Sequence, residues 1–343
     1  MKVILCLFML MFFACDNGDS MDFSSGNIIS VDYGVGAPCG GSVANFNGSV
    51  YRTYDGGAAP LDASSLEFLI DEKLGNYGSN GAVIYHSEVV NDNFWFSVVT
   101  YDNANDFVKV VNSSGQELAS YEVGLYPGDF ASWGNGQINY VFVANEGNMG
   151  SSNGSLSMID AFGAVTNYEN IGDVVQSIEV YDDKLIALIN NSHKIKIFNI
   201  DSNGLQLPGI EVDTGNSCPR EMVVFDNKVY FTNWDTQDVK VFNLYTYQIE
   251  NSISISSGLP EDIVLNDQSL YITVPNLEKY DQNLGSEVIK ISVDDLSIEA
   301  VYDVGLGPEF LTFSDNGNLY VSRVSYSEDW YTAYHGTSKI NMP

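Results

Sequence analysis

Apolar and polar residues alternate along short stretches of this chain, break at polar turns, and begin again at a steady interval. A strand-like segment ending in a turn recurs as SVYRTYD (49–55), NFWFSVVTYD (93–102), NYVFVANEG (139–147), KLIALINNS (184–192), KVYFTNWD (228–235), SLYITVPN (269–276) and NLYVSRVSY (318–326). A second alternating segment follows each of them: SLEFLI, FVKVVN, SLSMID, KIKIFNI, DVKVFNL, EVIKIS and SKINM. A third closes the unit with a glycine, as in ELASYEVG, ENSISISSG and EAVYDVG. A turn with a nearby proline then opens the next unit (GAPC, GLYPG, NSCPRE, GLPED, GLGPEF), with Gln176 in the place of the proline in GDVVQ. From Pro38 to Pro308 there are six intervals over 270 residues, 45 on average.

Period-two alternation places successive side chains on opposite faces of a strand. Four short strands per unit at this period are the pattern of propeller blades. The chain is therefore expected to be all-β, a seven-bladed β-propeller over residues 27–343, with no helix in that span. A pair of β-sandwiches would account for the strands but not for the fixed interval. The last unit stops at SKINMP without an outer strand, and NIISVDYG (27–34) reads like the closing strand of the other units. The N-terminal strand is thus expected to complete the last blade, leaving no open sheet edge.

The first residues read differently. MKVILCLFMLMFFAC has one lysine and an apolar run from Val3 to Ala14, too short to span a bilayer and in the form of a secretory signal. FFAC resembles a bacterial lipobox with Phe in place of the usual small residue, which implies lipidation at Cys15 and residues 1–15 as the signal. An ordinary signal cut near Ala14 is the alternative. DNGDSMDFSSGN then supplies a polar tether over 16–26, and acids directly after the cysteine resemble the export signal of Bacteroidetes surface lipoproteins. The expected location is the outer membrane, facing the cell surface or the periplasm, with membrane contact only through the lipid anchor.

Charge narrows the partners. Asp and Glu number 45 against 14 Lys and Arg, a net charge of −31, which repels nucleic acid and anionic lipid. Apolar residues at 45% and aromatics at 13% are ample for a core. Cys6 leaves with the signal, and Cys39 and Cys218 fall in blades one and five, on opposite sides of a ring. A disulfide needs Cα atoms within about 7 Å, so two buried thiols are expected.

KVYFTNWDTQDVKVFNLYTYQIE is similar in type and spacing to the repeats of YVTN-type (YncE-like) propellers of bacterial surface proteins. VANEGNMGSSNGSLSMIDA, GDVVQSIEV, NNSHKIKIFNI and CPREMVVFDNKVYFTNW resemble the surface lipoprotein propellers of Bacteroidetes. One branch of those captures cobalamin beside an outer-membrane transporter, so the resemblance implies ligand capture for uptake, with cobalamin or another small nutrient as ligand.

Loops on the two faces of the ring differ. One face has tight Asn/Asp turns (NDN, YDDK, DNK, NDQ) that turn chemistry alone explains. The other carries the long loops DGGAAPLDASS, EGNMGSSNG, PNLEKYDQNLGS and SYSEDWYTAYHGTS. Aromatic anchors among adaptable polar side chains suit a binding surface. Tyr54, Trp234, Tyr280, Tyr326, Trp330, Tyr331 and Tyr334 are the anchors on that face, with Asn148, His193 and His335 among them. Arg220 and Arg323, at the channel mouth, offer planar forks for a phosphate, carboxylate or amide oxygen, or pair with the abundant acids. Asn145, Asn190, Asn233 and Asn276 recur at equivalent strand ends and could supply ligand oxygens, although capping of turns explains the recurrence equally well. A lactonase-like metal-dependent hydrolase would use such oxygens around a channel metal. No nucleophile motif, paired-cysteine metal motif or phosphate-cradling loop is present, so binding rather than catalysis is expected, without a cofactor or bound metal. The alternative to small-molecule capture is docking of an envelope protein on the same face, for which the propeller would be a scaffold.

Overall fold

The computed structural model describes residues 27–36, 41–78, 81–101, 105–134, 139–279, 283–328 and 332–342. Cys15, Cys39, Tyr280, Trp330 and Tyr331 lie outside the described residues. The remaining chain forms seven antiparallel sheets, six of four strands and one of three. It is an all-β seven-bladed propeller.

Each blade begins with an inner strand at the central channel: Val43–Phe46, Val83–Val90, Pro127–Gly134, Val175–Tyr181, Pro219–Phe225, Ile263–Asn266 and Pro308–Phe313 for blades 1 to 7. The next strand is the most deeply buried, as in Lys184–Ile189 and Lys228–Asn233, where the hydrophobic stretches of the repeat pack on both faces. Between the first two strands of blade 5, Asp226 and Asn227 both take positive φ (47° and 59°), and Asn91 and Asp92 do the same in blade 2 (49° and 59°). Two consecutive left-handed residues make the hairpin turn whose twist matches the strands, and Asn and Asp tolerate it best after glycine. The tight Asn/Asp turns are therefore structural.

The core lies between blades rather than within one centre. Phe46 and Tyr51 of blade 1 meet Phe94 and Phe96 of blade 2, with Phe46 edge-on to Phe94 at 5.5 Å. Phe142 and Leu156 of blade 3 pack on Ile178 and Leu185 of blade 4, and Tyr271 of blade 6 on Leu311 and Val321 of blade 7.

Closure follows the expected route. Ile28–Gly36 pairs antiparallel with Ala333–Ile340 as the outer strand of blade 7, with Ile28 opposite Ile340 and Ser30 opposite Ser338. The Ser30 and Ser338 hydroxyls are 2.8 Å apart, and Asp32 forms an ion pair with Arg323 at 2.6 Å.

Blade 1 departs from the expected pattern. SLEFLI does not form its second alternating strand; Gly57–Pro60 does, and the blade stops at three strands. Asp62 explains the difference, because its carboxylate accepts from the backbone N–H groups of Ser64 and Ser65 and holds a turn there. Leu66 then takes a positive φ of 60°, and a short 3₁₀ turn follows at Ile70–Glu72, where no helix was expected. The third strand of blade 7 also starts earlier than SKINM, at Ala333. Cys218 is a buried free thiol, donating to Asn190 Oδ1 at 3.3 Å.

Candidate functional site: the acid-lined channel

The inner strands start with an irregularity in register that recurs in blades 2, 3, 4, 5 and 7. A bulge puts two residues opposite one and re-aims their side chains. At equivalent points this presents Tyr85 and His86, Gly128 and Asp129, Gln176 and Ser177, Arg220 and Glu221, and Glu309 and Phe310, while in blade 6 Glu261 and Asp262 stand just ahead of the inner strand, both bonded to the Thr273 backbone. The first members of these pairs lie nearest the long-loop face, where the strands begin, and the second members lie one step down the channel.

Arg220 dominates the mouth. Its Nε donates to Glu261 Oε2 at 3.0 Å, its Nη2 to Glu261 Oε1 at 2.5 Å, and its Nη1 to Gln176 Oε1 at 2.7 Å. The guanidinium lies 4.4 Å from the centroid of Trp234. Beside it the Tyr85 hydroxyl donates to Glu146 Oε2 at 2.9 Å. Glycines leave room for these acids: a Cβ on Gly128 would sit 2.8 Å from Glu146 Oε1, and one on Gly41 would crowd the Glu309 carboxylate.

One step down, acids dominate. Asp129 accepts from the Phe130 N–H at 2.8 Å and from the Ile178 N–H of the next blade at 2.7 Å. Asp262 repeats the arrangement with Ile263 at 2.8 Å and Leu311 at 2.6 Å. Both therefore tie neighbouring inner strands together. A cavity of roughly 350 Å³ opens here, lined among others by His86, Glu88, Asp129, Glu221 and Asp262.

Enclosure and mutual repulsion raise the proton affinity of these carboxyls. Burial pushes Glu146, Asp262 and Glu309 up to about 7. Burial and then the charges of Asp129 and Glu88 push Glu179 up to about 8. Glu221 is raised well above the usual value by burial, and then by Asp129, Asp262 and Glu261 from the blades around it. Burial likewise lifts Glu88 to about 8 and Asp129 to about 7, and it holds His86 neutral by lowering its proton affinity. Water in the channel still reaches the Glu88 side chain, 39% exposed, while protein encloses it laterally; the upward direction comes from that enclosure. Eight carboxyls (Glu88, Asp129, Glu146, Glu179, Glu221, Glu261, Asp262, Glu309) thus share the channel with Arg220, while Arg52 acts on Glu309 from between blades 1 and 7, where it meets the Arg323 carbonyl and the Tyr33 ring.

The residues singled out in the sequence are distributed unevenly. Asn190, His193, Arg220 and Trp234 come together at the boundary of blades 4 and 5: Asn190 Nδ2 donates to the Pro219 carbonyl at 2.8 Å, and His193 Nδ1 accepts from the Cys218 N–H at 3.0 Å. Asn145 and Asn233 are fully buried, with amides bonded to Ser155 and Ser157 and to the Phe231 carbonyl respectively. Asn276 ends its strand half-buried, its carbonyl accepting from the Leu259 N–H. Asn148 sits in a turn closed by Asn153. Tyr54 packs against Phe68 with the rings tilted and their centroids 4.5 Å apart. Arg323 is spent on Asp32 and the Val31 carbonyl in the closing blade. Tyr326 and Tyr334 lie near the same loop, with Tyr334 45% exposed. The loop-face anchors are therefore spread out, whereas the channel acids converge.

The sequence reading missed those acids. The signal was present in the opening turns: Asp129, Glu221, Glu261, Asp262 and Glu309 each fall within two residues of a blade-opening proline.

Ser42, His86 and Glu88 are laid out in the order nucleophile, base, carboxylate, with Ser42 Oγ 3.4 Å from His86 Nδ1. Ser42 is only 1% exposed and its hydroxyl accepts from the Ser87 N–H at 3.1 Å, so it cannot reach a substrate carbonyl.

No protein-family model matches the chain, and no curated protein sequence does. Solved structures do match in fold. A streptogramin B lyase shares 14% identity at a TM-score of 0.65, covering 92% of this chain and 98% of that one. A catalytically inactive virginiamycin B lyase from Staphylococcus aureus, solved with quinupristin, shares 15% identity at 0.65, with 92% and 100% covered. Hydrazine synthase of Kuenenia stuttgartiensis shares 14% at 0.65, with 90% and 96% covered. At this identity the likeness is one of fold alone.

Proposed function

We propose that this propeller is a binding protein that takes a small, positively charged solute into its acid-lined channel. The observation that carries the reading is the convergence of eight carboxyls from blades 2 to 7 on one channel, against a single arginine, Arg220, that is already held by Glu261. A cavity of roughly 350 Å³ is in the range of small-ligand sites. Burial raises Glu88, Asp129, Glu146, Glu179, Asp262 and Glu309 to about 7 to 8, so an entering cation exchanges with protons instead of with sodium alone. Catalysis is not part of the proposal: the lyases share only the fold, and the Ser42 hydroxyl is buried and engaged by the Ser87 N–H.

The N-terminal signal and Cys15 support a place at the cell envelope, where a lipid-anchored binder would pass its ligand to a transporter. Cobalamin, implied by the resemblance to Bacteroidetes lipoproteins, would rest on the long-loop face around Trp234.

Isothermal titration with spermidine at pH 7.5 and low salt tests the reading. Saturable binding at one site, weakened at least tenfold by Glu221→Gln and by added salt, is expected. Absence of saturable spermidine binding, with co-migration of cobalamin in size exclusion, would replace the channel with the loop face.

A further inference from the structure

Two inner strands bring a nitrogen and two carboxylates to one point of the channel wall. His86 and Glu88 lie two apart on Val83–Val90 and so share a face, and Asp129 comes from the adjacent strand Pro127–Gly134. One ligand atom from each of the three lies within 4.8 Å of the others. His86 Nε2 and Glu88 Oε2 are both sealed from solvent and have no hydrogen-bond partner, although they face each other at 3.8 Å. A buried polar atom without a partner carries a cost of about 1–3 kcal/mol. Two of them facing each other, too far apart to bond directly, leave a gap that a third atom between them would fill.

The gap has the dimensions of a metal site. Two ligand atoms bound to one tetrahedral ion at about 2.1 Å stand roughly 3.4 Å apart, a little less than the separation of Nε2 and Oε2. The surrounding groups fix the ligands in the manner of metal sites. With its hydrogen on Nδ1, the His86 ring donates to Ser42 Oγ and turns the Nε2 lone pair toward Glu88 and Asp129. Each Asp129 oxygen takes one backbone N–H, from Phe130 and Ile178, and keeps a lone pair free. The fourth side opens on the cavity, with Glu221 and Asp262 also on its wall.

We infer that His86, Glu88 and Asp129 form a site for one divalent transition-metal cation of the zinc class. One imidazole nitrogen with two carboxylate oxygens is a donor set for zinc and its neighbours in the first row, and is less suited to calcium, which takes six to eight oxygens. The open fourth position takes water or a donor atom of a channel ligand. The inference deepens the channel reading and rests on it for access of solutes, but it fails or stands on a different probe.

The test is equilibrium dialysis of the chelator-stripped protein against Zn²⁺ at pH 7.5, with metal measured by atomic absorption and Co²⁺ as a visible-light probe. One zinc per chain is expected, with affinity reduced at least tenfold in Glu88→Gln and in His86→Gln. The surface variant Glu299→Gln, at a carboxylate paired with Lys290 away from the channel, should stay within about threefold of the parent. Co²⁺ should give a visible d–d band of a low-coordinate site, absent in His86→Gln, and circular dichroism of both variants should match the parent. Zinc taken up in no fixed ratio, or lost as much in Glu299→Gln as in Glu88→Gln, would reduce the site to diffuse attraction and overturn the inference. Zinc binding without spermidine binding would keep the metal site and discard the organic-cation reading; spermidine without zinc would do the reverse.

Discussion

Arg220 divides its guanidinium among the Glu261 carboxylate, the Gln176 amide and the Trp234 indole, so its Nε, Nη1 and Nη2 each donate and one flat face is covered inside the protein. Removing one partner of an enclosed pair leaves the other charge uncompensated, at about 3–5 kcal/mol. Arg220→Met should therefore lower stability by about 3 kcal/mol in urea denaturation. Adding Glu261→Gln to it should recover part of the loss, because the stranded charge is gone. Simple additivity of the two substitutions would mean that the pair is not coupled. Trp234→Ala removes only the stacking partner and should cost about 1 kcal/mol. At this scale the sequence was half legible. Arg220 stood out because arginine is scarce here, and its pairing with an acid was one of the two roles open to it. Its particular partner was not readable, because Glu261 belongs to the next blade, 41 residues on.

The strand Ile28–Gly36 ties the two ends of the chain through one sheet edge, and its pairing with Ala333–Ile340 is the only sheet link between them among the described residues. Ser30 and Ser338 are register partners with hydroxyls 2.8 Å apart. Ser30→Cys with Ser338→Cys should form a disulfide and close a loop of about 300 residues, raising stability by about 2–4 kcal/mol. The gain should appear as a higher thermal midpoint that vanishes on reduction. A disulfide that forms without raising the midpoint would show that this strand does not limit unfolding. The closing strand was legible because its alternation matches the third strands of complete units, and an unpaired edge on the last blade needed filling. Blade 1 was not legible, since SLEFLI alternates as a strand does while Asp62 turns the chain just before it. Gly57–Pro60, the strand that forms instead, consists of small residues without alternation. The channel acids escaped for a related reason: each is a single residue beside a turn, and only closure of the ring brings them together. The bulge that faces two neighbours inward has no signature in a period-two pattern.

Over the whole molecule, the channel gives stability an unusual dependence on pH. Glu146, Glu179, Glu221, Asp262 and Glu309 hold protons more tightly when folded than an unfolded chain would, with Glu88 and Asp129 adding to the set. Their contribution is complete below the ordinary carboxyl range near pH 4 and is lost as pH rises through about 7 to 8. His86 opposes this, since its lowered proton affinity weakens the fold as pH falls below its ordinary value of 6.5. It is one group against seven. Surface carboxyls held below their usual range by hydrogen bonds or lysines, such as Glu211, Asp213, Asp295 and Glu299, act only under about pH 4.5. Between pH 5 and 8 the channel therefore sets the slope.

The thermal midpoint of the protein from pH 5 to 8.5, with and without spermidine, tests whether these acids form a cation-binding channel. The midpoint should fall as pH rises. Spermidine should restore it at pH 8, where the carboxylates are bare, and should have little effect at pH 5.5, where protons occupy them. A midpoint that is level or rises across this range, or a spermidine shift of equal size at both ends, would contradict the account.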